Sequence, residues 1–114
     1  MDNCIFCKIS NRLIPSKIVF ENENILAFED LNPQAPTHIL IIPKKHIATL
    51  NDVTTEDQTL LGEVVLSAAA IARDRHISTS GYRLVANTNA GAGQSVFHIH
   101  FHLLGGRSLA WPPG

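Results

Sequence analysis

The sequence contains no long run of any one kind of residue. Basic and acidic side chains are interspersed and nearly balanced, nine Lys and Arg against ten Asp and Glu, so neither a nucleic-acid groove nor an anionic membrane surface is predicted as a partner. The longest apolar stretches are far too short to cross a bilayer. The first residues lack the basic segment and apolar stretch of a secretion signal. We therefore expect a cytoplasmic protein.

Cysteine is also scarce, because only two are present and both lie in Cys4-Ile-Phe-Cys7. In a reducing compartment this spacing favours a metal or redox pair over a structural disulfide. A redox pair is expected at the start of a helix in a thioredoxin-like βαβ unit, and the sequence lacks that context. Zinc would need two further ligands. The residues alone leave a metal, a redox and an incidental interpretation open.

The chain of 114 residues shows no repeat, low-complexity tract or flexible linker, which predicts a single domain over residues 1–114. Hydrophobic patterning predicts one long helix over residues 55–74, with an apolar stripe made by Leu60, Leu61, Val64, Val65, Ala68, Ile71 and Ala72. Strands are predicted at residues 17–21, 25–29, 37–42, 82–87 and 98–104. Strands grouped as hairpins around one helix indicate an α+β domain with an antiparallel sheet. The helix covers one face of that sheet, so the other face must be open or covered by a second subunit.

Three of the six histidines, His98, His100 and His102, occupy alternate positions near the end of the chain. On a strand they would share one face with about 7 Å between neighbours. The outer pair would then be too far apart for all three to bind one metal ion. A neutral imidazole can instead attack phosphorus, and the preceding Gly-rich loop, with Gln94 and Ser95, suits a phosphate group. The pattern favours nucleophilic catalysis over a two-histidine chelate or plain surface histidines.

The segment GQSVFHIHFHLLGGR resembles the histidine-triad signature, in which three histidines alternate with apolar residues. IFCKI, AFEDLNPQAPTHILIIPKKH, GYRLVANTNAGAGQS and the final WPPG also resemble the histidine-triad (HIT) family, in its nucleotide-binding (HinT-like) branch. The resemblance covers nearly the whole chain. It implies a HIT-like fold, with an antiparallel five-stranded sheet, one long helix and one short helix. It also implies a homodimer in which two sheets form one ten-stranded sheet.

The resemblance implies hydrolysis of purine nucleoside 5′-phosphoramidates, such as an adenylate joined through a P–N bond to lysine. The middle histidine, here His100, attacks the α-phosphorus and the amine leaves. Water then releases AMP or GMP from the nucleotidyl-histidine, and no catalytic metal or other cofactor is required. His98 and His102 match the first and third histidines of the triad. His38 matches a fourth histidine that completes a relay, and Ser95 matches a serine that supports the leaving nitrogen.

The resemblance further implies a purine-nucleotide site with apolar walls around the base. Asp30 matches the residue that takes the ribose hydroxyls, Asn87 and Gln94 match phosphate contacts, and Trp111 matches a tryptophan that reaches the partner subunit's site. The residues assigned to the nucleotide are Ile5, Phe6, Ile9, Asp30, Leu31, Asn87, Gln94, Ser95, His100, His102 and Trp111.

For the two cysteines, the resemblance implies structural zinc held by Cys4, Cys7, His46 and His98, although many members of this branch lack the cysteines and the metal. As a zinc ligand, His98 would not be free to move protons.

Two other functions remain open. A dinucleoside polyphosphate hydrolase is disfavoured, because that branch usually has glutamine soon after the second histidine, where this chain has His102. A non-catalytic purine-nucleotide-binding scaffold is the alternative from another class.

Overall fold

The computed structural model describes residues 3–114 of the chain. Seven helices and strands follow one another in these residues: α1 (Ile5–Ser10), β1 (Ile18–Glu21), β2 (Ile25–Glu29), β3 (Thr37–Pro43), α2 (Gln58–Asp74), β4 (Tyr82–Val85) and β5 (Phe101–Gly105). Short 3-10 turns lie at Leu50–Asp52, Thr55–Asp57 and Ala90–Ala92. Within the described residues, none of the helices has the length and hydrophobicity that spanning a bilayer requires.

The five strands form one antiparallel sheet in the order β1-β2-β3-β5-β4. The turn between β1 and β2 is closed by Asn22, whose side-chain oxygen accepts the backbone N–H groups of Asn24 (2.9 Å) and Ile25 (2.8 Å). Asn favours such turns because its side chain can replace a backbone acceptor. The predicted α+β class and antiparallel sheet are confirmed.

Helix α2 covers one face of the sheet. Its buried residues Val64, Ala68 and Ile71 pack on side chains of β2, β3 and β5 in a continuous core. The helix starts at Gln58, three residues later than predicted, because Thr54 caps a 3-10 turn first and accepts the N–H of Glu56. The assignment of Val65 to the buried stripe is wrong: Val65 is 53% exposed, since it lies about 100° around the helix from Val64.

The opposite face is partly covered by the short helix α1. Phe6 and Ile9 of α1 are buried against Leu26, Phe28 and Leu40 in a second core cluster. Helix α1 therefore covers the β2–β3 part of this face, while over β5 and β4 there is a cavity that residues of the C-terminal tail also line.

The last strand begins at Phe101, three residues later than predicted. In the β3–β5 register Ile41 pairs with Phe101, so Ile99 would stand opposite Pro43, which has no N–H to offer. The N–H of Ile99 instead bonds to the carbonyl of Ile47 at 2.7 Å. His98 and His100 precede β5, so the prediction that all three triad histidines lie within the last strand is correct only for His102.

Candidate active site

His100 is held by one ring nitrogen, and its other ring nitrogen is left for a substrate. Its Nδ1–H donates to the backbone carbonyl of His98 at 2.9 Å, which places the lone pair of the neutral ring on Nε2. Phe6 lies edge-on to the His100 ring with 5.0 Å between centroids. Among the described residues, Nε2 has no hydrogen-bond partner. His100 therefore presents the lone pair of Nε2 in a fixed orientation.

His38 and His102 form a directed pair beside it. The backbone N–H of Gln34 donates to Nδ1 of His38 at 3.0 Å, and Nε2 of His38 lies 2.9 Å from Nδ1 of His102. Because Nδ1 of neutral His38 accepts, its proton is on Nε2 and is donated to His102. Neutral His102 then carries its own proton on Nε2. The ring centroids of His100 and His102 are 5.1 Å apart, so a donor nitrogen stands beside the nucleophile.

Burial keeps these rings neutral. Removal from water lowers the pKa of His38, and the Asp30 carboxylate 3.4 Å away opposes this shift. Burial, together with the neighbouring His100 and His38 rings, lowers the pKa of His102 to about 4. Burial disfavours the charged imidazolium. At neutral pH, His38 and His102 therefore offer N–H donors rather than fixed positive charges.

The His98 ring meets the Phe6 ring edge-on, with 6.0 Å between centroids, and the same Phe6 ring meets His100 at 5.0 Å. Its side chain is fully buried, and its Nε2–H donates to the carbonyl of Pro43 at 2.7 Å. Its Nδ1 lies 3.3 Å from Sγ of Cys4, 3.5 Å from Sγ of Cys7 and 3.2 Å from Nδ1 of His46. Both ring nitrogens are engaged, so no ring nitrogen of His98 reaches a substrate. Its backbone carbonyl, which orients His100, is the part of His98 that serves the nucleophile.

Cys4, Cys7, His46 and His98 form a group that we name the Cys/His centre. Their donor atoms all lie within 4.8 Å of one another, and Sγ of Cys7 is 3.4 Å from Nδ1 of His46. Tetrahedral zinc with Zn–N and Zn–S bonds of about 2.0 and 2.3 Å requires donor separations of roughly 3.3–3.8 Å. The Pro43 carbonyl fixes the His98 tautomer, as an outer partner of a metal-binding histidine does. The four residues therefore fit a zinc ion.

The same centre is a poor thiol redox site. Burial, together with the adjacent Cys4 thiol, raises the pKa of the Cys7 thiol to about 11. A reactive cysteine needs the opposite shift, because the thiolate is the nucleophile. A bound cation would deprotonate the thiol on coordination. Of the two chemical interpretations of the CxxC spacing, the environment favours metal binding.

A cavity of ≈ 220 Å³ lies between α1 and the loop after β2, and we name it the purine slot. It brings together all five residues predicted to surround the base and ribose: Ile5, Phe6, Ile9, Asp30 and Leu31. Its further lining residues are Ile14, Pro15, Ser16, Phe28, Glu29 and Leu40. Leu31 stands at the rim and is 96% exposed. The sequence analysis did not assign Phe28 to this site. The alternation of side chains along β2 could have indicated it, because it places Phe28 on the sheet face that does not pack on α2.

Gln94 braces the loop that precedes the triad. Its Oε1 accepts the N–H of Asn89 at 2.8 Å, while its Nε2 donates to the carbonyls of Ala48 (2.8 Å) and Val96 (3.1 Å). Only 4% of the residue is exposed. Both amide hydrogens are used within the protein, so the structure leaves none for the phosphate contact assigned to Gln94.

Three predicted site residues remain: two of them, Asn87 and Ser95, line separate cavities, and the third, Trp111, lies in the tail. Asn87 lines a cavity of ≈ 390 Å³ that also contains His38 and His102. Ser95 is exposed and lines a cavity of ≈ 480 Å³ beside Cys4. Trp111 lies in the C-terminal tail and is 83% exposed.

The tail is held by an arginine that the sequence reading missed. Nη2 of Arg83 on β4 donates to the carbonyl of Ala110 at 2.8 Å and lies 3.4 Å from that of Leu109. No local sequence pattern marks this contact, because the two partners are far apart in the chain.

Comparison with known proteins shows the family to which this chain belongs. The HIT domain family model matches residues 11–109. The chain is 53% identical to the purine nucleoside phosphoramidase of Escherichia coli K12 over 108 residues, which is 95% of this chain and 91% of that one. The chain belongs to the HIT family and, within it, to the HinT-like branch.

Solved structures agree with this assignment. A HIT family hydrolase from Legionella pneumophila superposes with a TM-score of 0.97 at 59% identity, covering 98% of this chain and 100% of that one. Another, from Clostridium thermocellum, gives a TM-score of 0.94 at 44% identity, covering 96% of each chain. The predicted HIT-like fold is confirmed, and the protein is an enzyme of the hydrolase class.

Proposed function

We propose that this enzyme hydrolyses purine nucleoside 5′-phosphoramidates to AMP or GMP and an amine, with His100 as the nucleophile. The observation that carries the proposal is the orientation of His100, whose Nδ1–H is held by the His98 carbonyl so that Nε2 is free. Phe6, which lines the apolar purine slot, lies edge-on to the same ring. The E. coli relative named a purine nucleoside phosphoramidase supports the same substrate class.

The reaction proceeds in two displacements. Nε2 of His100 forms a bond to the α-phosphorus, the P–N bond breaks, and the leaving nitrogen departs as an amine after taking a proton. Water then attacks the same phosphorus, the P–Nε2 bond breaks, and the nucleoside monophosphate leaves with His100 restored. A covalent intermediate divides one difficult step into two easier ones. The proposal assigns no metal to these steps, because the attacking group is the lone pair on Nε2 of His100.

His102 and His38 supply oriented donors. In the tautomers set by the Gln34 N–H, the Nε2–H of His102 donates to the phosphoryl group or the leaving nitrogen, and His38 stabilises the charge that develops on His102. Preorganised donors of this kind lower the barrier without reorganisation during the reaction. Ser95 supports the leaving nitrogen, and Asn87 contacts the phosphate.

Substitution of the nucleophile tests the proposal. We expect His100→Ala to lower turnover of a fluorogenic adenosine 5′-phosphoramidate by roughly 10³-fold or more, while AMP still binds in the slot. His76→Asn is the matched control, because His76 is exposed, has a φ of 59° and lies outside the site; Asn tolerates such a φ. Unchanged turnover in His100→Ala would remove the nucleophile assignment. Turnover of diadenosine polyphosphates alone would identify the rival hydrolase, and AMP binding without any turnover would identify a scaffold.

We further propose that the Cys/His centre holds one structural zinc ion. Four of its six donor separations are 3.2–3.5 Å and all are within 4.8 Å, and these distances and the outer partner at Pro43 support this assignment. Bound zinc would stabilise the chain where the segment after β3 meets α1. Metal analysis of protein purified without a histidine tag tests it. About one zinc per chain is expected, and two free thiols with less than about a tenth of an equivalent would contradict it.

We also propose a homodimer in which β4 pairs with β4 of a second chain. Strand β4 lies at one edge of the sheet, and an unpaired edge is a template for another strand. Helix α2 exposes Val65 (53%) and Leu66 (71%), and the tail exposes Trp111 (83%). These surfaces would be covered in such a dimer, and Trp111 would approach the partner's site.

A further inference from the structure

We infer that the Cys/His centre controls the affinity of the purine slot: a metal bound there fixes α1 on the sheet, and α1 forms one wall of the slot. Cys4 and Cys7 then act as positioning residues for the nucleotide. The inference rests on the proposed function for the identity of the ligand, but it concerns binding and not turnover.

Helix α1 carries both sets of residues. Cys4 is its N-cap residue, and Cys7 lies one turn later with its N–H 3.3 Å from Sγ of Cys4. Between and after them, Ile5, Phe6 and Ile9 line the purine slot. The two ligands and the three wall residues are therefore fixed in one short rigid unit, and neither set can shift without the other.

Without the thiols, α1 is weakly held. The helix has six residues, far fewer than the roughly 12–15 at which an isolated helix becomes even marginally stable. Its backbone hydrogen bonds stay within residues 4–13. Among residues 3–114, the polar contacts that join α1 and its N-cap residue to the rest of the protein are those of the two thiols with His46 and His98. Two residues beyond the helix, Arg12 also pairs with Glu21 of β1 at the exposed surface. The other contacts are apolar, through Phe6 and Ile9.

The hydrogen bonds that orient His100 do not involve α1, which meets the His100 ring only through the edge of Phe6, with 5.0 Å between centroids. The His98 ring is anchored by the Pro43 carbonyl at 2.7 Å, and the next residue is anchored by the Ile99 N–H to the Ile47 carbonyl at 2.7 Å. The bond from His100 to the His98 carbonyl belongs to this anchored segment. Loss of the metal should therefore release the wall of the slot while leaving His100 in place. The expected kinetic signature is a higher KM with little change in kcat.

The experiment compares the zinc-loaded protein with three altered forms: chelator-treated wild type, Cys4→Ala/Cys7→Ala, and His46→Ala. His46→Ala is the sharpest variant, because His46 is a ligand that does not line the slot. Lys8→Ala is the matched control, since Lys8 lies on α1 but neither lines the slot nor belongs to the centre. AMP affinity is measured by calorimetry, and amide hydrogen exchange is followed in α1 and in β3.

If α1 is docked only a tenth of the time without metal, the apparent Kd for AMP rises about tenfold. We expect this rise in all three altered forms and not in Lys8→Ala, with faster exchange in α1, unchanged exchange in β3, and recovery when zinc is returned to the wild type. Equal AMP affinity with and without metal would overturn the inference, as would a wild type that binds no metal. A loss of kcat at constant Kd would assign the effect to His98 instead, and faster exchange throughout the chain would show a general loss of stability.

These outcomes stay separate from the test of the proposed function. AMP affinity and exchange need no turnover, so a wild type that fails to hydrolyse phosphoramidates but loses AMP affinity on metal removal would contradict the proposed reaction and support this inference.

Discussion

At the scale of single residues, three histidines in this site are kept neutral by burial rather than by a partner charge. Burial is the largest cause of the lowered pKa of His38, His98 and His102. When the pKa of a histidine is lower in the folded state than in the unfolded state, the unfolded chain takes up the proton at a higher pH. Between the two pKa values the unfolded state therefore carries more protons than the folded state. Stability must therefore fall as the pH decreases through that interval.

His102 gives the clearest prediction, because its pKa is about 4 in the folded protein and about 6.5 in an unfolded chain. Between pH 7 and pH 5 this residue alone should lower the free energy of unfolding by about 1 kcal/mol, a value reduced for the solvent that reaches the half-buried ring. In His102→Asn an oxygen replaces Nδ1 as the acceptor for His38 and does not titrate. The free energy of unfolding of this variant, measured with urea at both pH values, should decline less than that of the wild type. The same decline in both proteins would show that His102 does not titrate in this way.

At the scale of elements, the loop before the triad is held by a single buried amide. Gln94 spans from Asn89 to the carbonyls of Ala48 and Val96, so it fixes the entrance of the segment that carries His98 and His100. A direct phosphate contact and a bracing role make different predictions. The first would lower nucleotide affinity alone, whereas the second would lower stability.

We expect Gln94→Ala to lower the free energy of unfolding by about 1–3 kcal/mol, because buried backbone groups lose their partners. Gln94→Glu keeps the acceptor for the Asn89 N–H but loses both donors, and it should be at least as harmful. Urea denaturation measures the change, and AMP calorimetry on the same variants separates the two roles. If Gln94→Ala is as stable as the wild type but binds AMP more weakly, the assignment of Gln94 to a direct phosphate contact is supported instead of the bracing role.

The elements also show what the sequence could predict. Turn residues and alternation located β2 and β3 almost to the residue, since Asn22 and Pro43 mark their ends locally. The start of β5 could not be read in this way, because it depends on Pro43 standing opposite Ile99 across the sheet. Helix α1 has only six residues, too few for a periodic apolar pattern to predict a helix there. Its place in the fold came from family resemblance.

The site divides along the same line. The three alternate histidines and the Gly-rich loop were enough to predict chemistry on a phosphate group. The four metal ligands were predicted from the family resemblance. The engagement of both ring nitrogens of His98 was not readable, because alternation on a strand does not distinguish one of the three histidines from the others. Their roles, the single-domain boundary and the cytoplasmic location stay predictions.

At the scale of the whole molecule, the exposed apolar surfaces are distributed unevenly. Val65 and Leu66 are adjacent on α2 and are 53% and 71% exposed. Leu13, in the loop between α1 and β1, is 73% exposed. Scattered exposed apolar residues are normal, but two adjacent ones on the same helix favour an interface. The proposed dimer uses the first surface and leaves Leu13 in solvent.

Leu66→Glu should therefore convert the dimer to a monomer, because a carboxylate enclosed by apolar side chains costs several kcal/mol unless it is paired. Sedimentation equilibrium measures the mass, and Leu13→Glu, which makes the same chemical change on a surface outside the proposed interface, should sediment as the wild type does. If Trp111 completes the partner's site, the monomer should also lose amine-side discrimination between phosphoramidates while keeping its AMP affinity, since the purine slot is built within one chain. A wild type that sediments as a monomer would contradict the dimer. A monomeric variant with unchanged discrimination would confine Trp111 to a role in the interface.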